Sequence, residues 1–498
     1  MRRFERPFVM SVGRNSLLNI AGALVPLIVA LVTIPLFIGL IGTERYGALA
    51  VAWLVLGYFG MFDLGLGPAT AQRIASLDHS TPEHRARVFW TAFVVNVAVG
   101  LVGGALLYAG MRYFLVEQFK ADPLLIAEML EALPWLALAV PVATLTGVAR
   151  GGLQGRGKFL DINVANILST SLFQILPLVV AYLNGPSLTA LVMAAVAGRI
   201  IGFVIIYARV HRHLLRALPV GFDRAEWLPL LKFGGWVSIT TMIGPLMVAS
   251  DRLLIGALLS ASAVAVYSVA FDIARRISLV PQAYGMAAFP QFARLDAEAS
   301  HRLTQRSIGA LGLVMTAPLV ALLFLIEPFL KLWLGVDLGT EAADPARILI
   351  IAYWGNAFAV IPFVRIQGHG RPHVVTLATL AQAPLLIAAL YFATEAAGLV
   401  GAALAVAVRA NFEVLVLLFL LERRIVLPKS YLAGLVLMVG AFILSREWSV
   451  TSLVGASSMV ILSAIAFAAT WVLAPLPSRA DFKSVLDKVT AKLSSRWA

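Results

Sequence analysis

The sequence predicts an all-α polytopic membrane protein of 14 transmembrane helices. Two six-helix lobes, related by a pseudo-two-fold along the membrane normal, are followed by two further helices. Three observations predict this. The chain of 498 residues is 60% hydrophobic and only 13% charged, where a soluble domain carries about 25% charged residues. Its apolar residues come in runs of about 20 or more, the length that spans a bilayer as a helix, and not in the alternating ten-residue segments of a membrane barrel. Its cations, finally, are segregated between alternate loops.

Fourteen apolar runs fall near 15–41, 46–68, 87–111, 124–149, 161–183, 187–209, 230–258, 262–290, 305–327, 346–366, 373–394, 398–421, 429–445 and 451–473. The first follows MRRFERPFVMSVGRN and is too long for the core of a cleavable signal, so it reads as an uncleaved helix. With the N-terminus in the cytoplasm and the loops alternating, twenty-eight of the 39 Lys and Arg fall in inside loops and six in outside loops. A missing or extra helix would scramble that separation downstream. The positive-inside rule therefore places both termini of this multi-pass membrane protein in the cytoplasm. The same bias accounts for the net charge of +13, leaving no reason to invoke nucleic acid. No cysteine is present, so no disulfide forms.

The expected organisation is an N-terminal lobe over 1–209, a cytoplasmic amphipathic linker over 210–229, a C-terminal lobe over 230–424, two appended helices over 425–474 and a basic amphipathic tail over 475–498. Asp223 and Glu226 have the spacing of a helix-start cap within the linker, and Ser478 and Asp481 have it within the tail. A short repeat ties the lobes together. LQGRGK (Leu153–Lys158) follows the fourth run and IQGHGR (Ile366–Arg371) the tenth. Six helices separate the copies, and an even number leaves the two halves pointing the same way. Gly152–Lys158 also fits GxxxxGK, but Phe159 stands where a phosphate-binding loop needs Ser or Thr, and no strand precedes it.

The pattern IPLFIGLIGTERYGALAVAW, the following FDLGLGPATAQRIA, GGLQGRGKFLDINVANIL, SDRLLIG and VYSVAFDIARRISLVPQAYGMAAFPQFARL resemble polysaccharide flippases of the Wzx (RfbX) type. The likeness spans about Asn15 to Arg424. Their superfamily also contains the peptidoglycan-precursor flippase and multidrug antiporters. The resemblance implies two six-helix lobes around a cavity that opens alternately to each side. It implies a substrate of the undecaprenyl-diphosphate-linked oligosaccharide type, the cytoplasmic (inner) membrane and its lipids as surroundings, and a polysaccharide polymerase and chain-length regulator as partners.

The charges within the apolar runs supply the site candidates, because a charge at mid-bilayer costs at least about 3 kcal/mol and is retained only beside a partner or a wet cavity. Ser250–Arg276 carries five: Asp251, Arg252, Asp272, Arg275 and Arg276. Arginine stays charged and grips phosphate with a planar fork. Arg275, Arg276, Arg252 and Arg199 are thus the candidates for binding the diphosphate and sugar. Asp63, Asp251 and Asp272 are the candidates for coupling or gating, with neutralisation of a neighbouring arginine as the plainer role for each. Arg409 and Glu413, spaced i and i+4, read as a structural ion pair. Nothing in the pattern asks for a cofactor or a metal.

Three functions fit to different degrees. A flippase of lipid-linked oligosaccharide needs cations for the diphosphate. A multidrug or small-molecule antiporter of the same fold needs acids for a cationic substrate, yet arginines outnumber acids in the core helices. A membrane glycosyltransferase or polymerase needs catalytic groups on sizeable outer loops, and the longest outer loop here, near 327–345, holds no histidine.

Overall fold

A computed structural model describes residues 28–57, 65–77, 81–216, 218–292, 294–422, 428–480 and four tail positions (482, 483, 487, 490), with the side chains of 57, 233–243, 245, 290, 372 and 422 left aside. Among the described residues every regular element is helical, and nine helices are long and apolar enough to cross a membrane. Two compact units divide the chain at Ala265 and Val266.

The first unit contains α1 (Ile28–Ile41), α2 (Thr43–Gly57), α3 (Leu66–Ser76), α4 (Pro82–Glu117), α5 (Pro123–Gly155), α6 (Phe159–Asn184), α7 (Leu188–Val210) and α8 (Arg224–Leu258). Side chains that hydrogen-bond the otherwise unpaired first amides start several of them. Thr81 accepts from the His84 amide, Asp122 from Leu124 and Ser187 from Ala190. Small residues let α4 approach α5 closely: a Cβ on Gly100 would sit 2.7 Å from the Cα of Pro141, and one on Gly104 2.7 Å from the Ala137 carbonyl. The outer face of α4 stays apolar and exposed at Leu101, Val102 and Leu106, as a lipid-facing helix requires.

Two expectations change here. The predicted run 46–68 is interrupted at Gly65, whose φ of 64° is left-handed, and α3 begins after it and continues to Ser76. Nor is there a separate interfacial helix over 210–229. His211–Leu215 is a π turn and 218–223 carry no helix. Asp223 caps the start of α8 itself, accepting from the Ala225 amide at 2.9 Å. The Asp223 amide is taken by Thr91, so Glu226 does not close a capping box and is released for another partner.

The chain passes into the second unit within α9 (Ala261–Ala274). The 3₁₀ turn Arg275–Ser278 follows, then α10 (Leu279–Phe292), α11 (Ala297–Leu334), α12 (Val336–Gly368), α13 (Pro372–Glu422), α14 (Lys429–Glu447) and α15 (Leu453–Leu473). α13 breaks at Ala397–Gly398, where Gly398 takes φ 58°, and the predicted runs 373–394 and 398–421 lie on either side. The core is aromatic. Trp354 is fully buried, stacks on Tyr431 at 5.2 Å and donates to the Thr316 hydroxyl. The Tyr431 hydroxyl reaches Asn411 at 2.8 Å. Two hydrogen bonds joined by a ring stack thereby link α11, α12, α13 and α14, the polar groups paired as an apolar setting demands.

Arg347 and Arg365, at the two ends of the apolar run 346–366, are both inside α12 and buried. In the tail, helix is already under way at Leu476, so Ser478 does not start it, and Asp481 lies outside the described residues. The Ser478 hydroxyl donates to the Arg306 carbonyl on α11, while Phe482 packs on Phe467 and Trp471 of α15.

Candidate functional site

Asp272, Arg275 and Arg276 come together at the junction of α9 and α10. Sequence periodicity predicts one helix over 262–290, but the structure tightens into a 3₁₀ turn at the two arginines. Pro281, three residues beyond Ser278, has no amide to offer the Ile277 carbonyl, and its ring crowds the preceding turn. The polar side chains satisfy the displaced backbone groups: Arg276 Nε donates to the Asp272 carbonyl at 3.2 Å and Ser278 Oγ to the Arg275 carbonyl at 2.7 Å. The Asp272 carboxylate faces Arg275 Nε at 3.4 Å, with half of the arginine side chain exposed. The acid therefore balances Arg275, and Arg276 is half-buried beside the pair.

The other candidates belong to other helices. Asp251 and Arg252 are both buried on α8, with the Asp251 carboxylate accepting from the Arg252 amide at 2.6 Å. Arg199 on α7 lies over the ring of Phe173 at 4.6 Å and reaches the Leu56 carbonyl at 3.4 Å, a cation–π contact that uses it to hold α2, α6 and α7. Asp63 lies outside the described residues. Arg409 and Glu413 on α13 pair at 3.2 Å, as their spacing requires.

Glu413 has a second role. It borders a cavity of about 570 Å³ within the second unit, walled by α10, α12 and the second half of α13. Asn356 and Gln367 of α12 and Gln282 of α10 contribute amides to it, and Phe289 and Phe363 contribute rings. Gly285 fixes its depth, since a Cβ there would stand 2.8 Å from Val360 and 3.1 Å from Val364. Reading charges alone missed these residues. The available signal was Asn356, a carboxamide in the middle of the apolar run 346–366.

Sequence reasoning also missed two ion clusters. Glu226 is buried and accepts from Arg73 at 2.8 and 2.5 Å, with His84 at 3.3 Å. These hydrogen bonds from Arg73 hold its carboxyl below the usual range, against the opposing effect of burial. Arg347 meets Glu327 at 2.5 Å, Asp344 at 3.0 Å and the Ser445 carbonyl at 2.9 Å. The repeat, too, has a local cause. Gly157 and Lys158 donate to the carbonyls of Gln154 and Leu153, and Gly370 and Arg371 donate to those of Gln367 and Ile366. Both copies are Schellman helix ends.

Comparison with known proteins follows the same lines. Over 415 residues the chain is 27% identical to a Shigella flexneri protein described as a candidate O-antigen transporter, covering 83% of this chain and 98% of that one. The solved structure of the lipid II flippase MurJ, in an inward closed conformation, matches with a TM-score of 0.71 at 15% identity, covering 90% of this chain and 98% of that one. An inward-facing multidrug resistance transporter of the MATE family, in the MOP superfamily, matches with a TM-score of 0.64 at 14% identity over 85% of this chain and 98% of that one. These two share the fold. The polysaccharide biosynthesis protein family matches residues 12–296. That is more than half of a chain built from membrane-length helices, and this integral membrane protein belongs to the polysaccharide biosynthesis protein family.

Proposed function

We propose that the protein moves lipid-linked oligosaccharide, of the undecaprenyl-diphosphate type, across the inner membrane for surface polysaccharide synthesis. The observation that carries this reading is its likeness along 98% of a candidate O-antigen transporter, on a fold that a lipid II flippase shares. In this reading fourteen helices form two six-helix lobes, over 1–209 and 230–424, which alternate access around a central cavity. The segment 425–474 supplies two more helices, and both termini are cytoplasmic. Arg275 and Arg276, supported by Arg252 and Arg199, hold the diphosphate, while Asp63, Asp251 and Asp272 gate or couple the cycle. The protein performs no catalysis. It hands its cargo to a polysaccharide polymerase and a chain-length regulator.

A multidrug antiporter is the second reading, favoured by the MATE-like fold. Against it, Glu413, the carboxylate of the cavity, is already neutralised by Arg409. Deleting the gene tests the first reading. Lipid-linked oligosaccharide should accumulate, surface polysaccharide should be lost, and the intact gene should restore both. An unchanged lipid-linked pool, together with drug sensitivity, would instead establish the second.

A further inference from the structure

The cavity of the second unit carries chemistry that neither the arginines nor the ion pairs use. Asn356, Val360, Phe363, Val364 and Gln367 follow at helical spacing on α12, so one face of that helix lines the space. Among the described residues, the side-chain amides of Asn356 and Gln367 have no hydrogen-bond partner in the protein. Each offers two donors and an acceptor to whatever fills the cavity. Both residues are only part-buried, so their amides stay open to a polar occupant of the cavity. The Gln282 amide, whose Nε2 donates to Ser278 at 3.2 Å, adds an acceptor on the facing helix.

The charge of the cavity narrows the occupant. Glu413 is its only carboxylate among the described lining residues, and Arg409 neutralises it at 3.2 Å. A site with no net charge does not favour a cation or hold a diphosphate. It still offers amide donors and acceptors, a carboxylate acceptor and the rings of Phe289 and Phe363. Hydroxyls need such donor and acceptor sets, and the C–H faces of a pyranose ring pack on aromatic rings. The volume, about 570 Å³, lies in the range of small-molecule sites, roughly 300–1,000 Å³.

We infer that this cavity is a carbohydrate subsite, which recognises the uncharged sugars of the cargo through Asn356, Gln367, Gln282 and Glu413. The inference rests on the flippase reading for its substrate class and separates sugar recognition from the arginines that would hold the diphosphate.

The test uses the full chain, purified into lipid nanodiscs. Two probes are applied: the repeat-unit oligosaccharide freed from the host's own lipid carrier by mild acid, and tetraphenylphosphonium as a lipophilic cation. Asn356→Leu and Gln367→Leu keep side-chain size and suit an apolar helix, so both variants should fold, which their melting curves check. The oligosaccharide should bind the wild type and weaken about tenfold in each variant, the loss of one or two hydrogen bonds. Tetraphenylphosphonium binding should be the same in all three. The inference is overturned if the wild type does not bind the oligosaccharide, if both variants bind it as the wild type does, or if only the cation binds and Glu413→Gln abolishes that. The flippase reading fails on a separate readout, an unchanged lipid-linked pool in the deletion strain.

Discussion

Gly157 and Gly370 hold the same place in two copies of one helix-ending motif, with φ of 68° and 72°. No atom lies within 4 Å of a Cβ built on either, so the constraint at both is conformational. Gly157→Ala and Gly370→Ala should each lower stability by about 1 kcal/mol, the cost of a left-handed L-residue. Asparagine at either site should lose less. Thermal unfolding in detergent measures both, and unchanged midpoints for alanine would refute the motif's role.

Glu226 ties the start of α8 to Arg73 on α3. Its carboxyl is depressed in the folded state, first by the hydrogen bonds from Arg73. The stability it contributes is therefore fully present above the unfolded carboxylate pKa of about 4.3 and is lost as pH falls through the lower folded value. Glu226→Gln should destabilise by about 1–3 kcal/mol at neutral pH, because Arg73 is part-exposed and water replaces some of the interaction. The difference from wild type should shrink in acid. Melting temperatures recorded from pH 7 down to pH 3 test this, and parallel curves would count against it.

Arg347 is nearly inaccessible, at 3% exposure, and satisfies Glu327, Asp344 and the Ser445 carbonyl together. Arg347→Ala should cost about 3 kcal/mol or more, since acids are left partly unpaired at the junction of α11, α12 and α14. Lys331, on the same Glu327 but more exposed, should cost below about 1 kcal/mol when replaced by alanine. Folded yield and thermal midpoint rank the two, and the reverse order would show that the cluster is not organised around Arg347.

Arg275→Ala and Arg276→Ala should each lower transport about tenfold or more while the protein still inserts, the scale of a lost charge-assisted contact to phosphate. The readout is the lipid-linked pool in a deletion strain carrying each variant. Normal complementation by both would remove these arginines from the site.

Much of the fold was legible because lipid imposes a simple rule: a spanning segment must be a long apolar helix. The ion pair Arg409–Glu413 was legible for a similar reason, since both residues belong to one helix and the i, i+4 offset fixes their distance. The break at Arg275–Ser278 left only Pro281 as its sign. The interruption of 46–68 at Gly65 left only the glycines at 60, 65 and 67. Single residues of that kind are hard to weigh against a strong apolar pattern.

What the sequence alone determined is therefore local and one-dimensional: the helical class, most helix extents and the pair within α13. The tertiary structure decided which residues distant in the chain meet. Glu226 pairs with Arg73 from 153 positions away, and Arg347 reaches Ser445 from 98. It also decided that Asn356, Gln367, Gln282 and Glu413, on three separate helices, face one cavity. Hydropathy and charge specify what a residue needs in lipid; only the packing of helices against one another specifies which group supplies it.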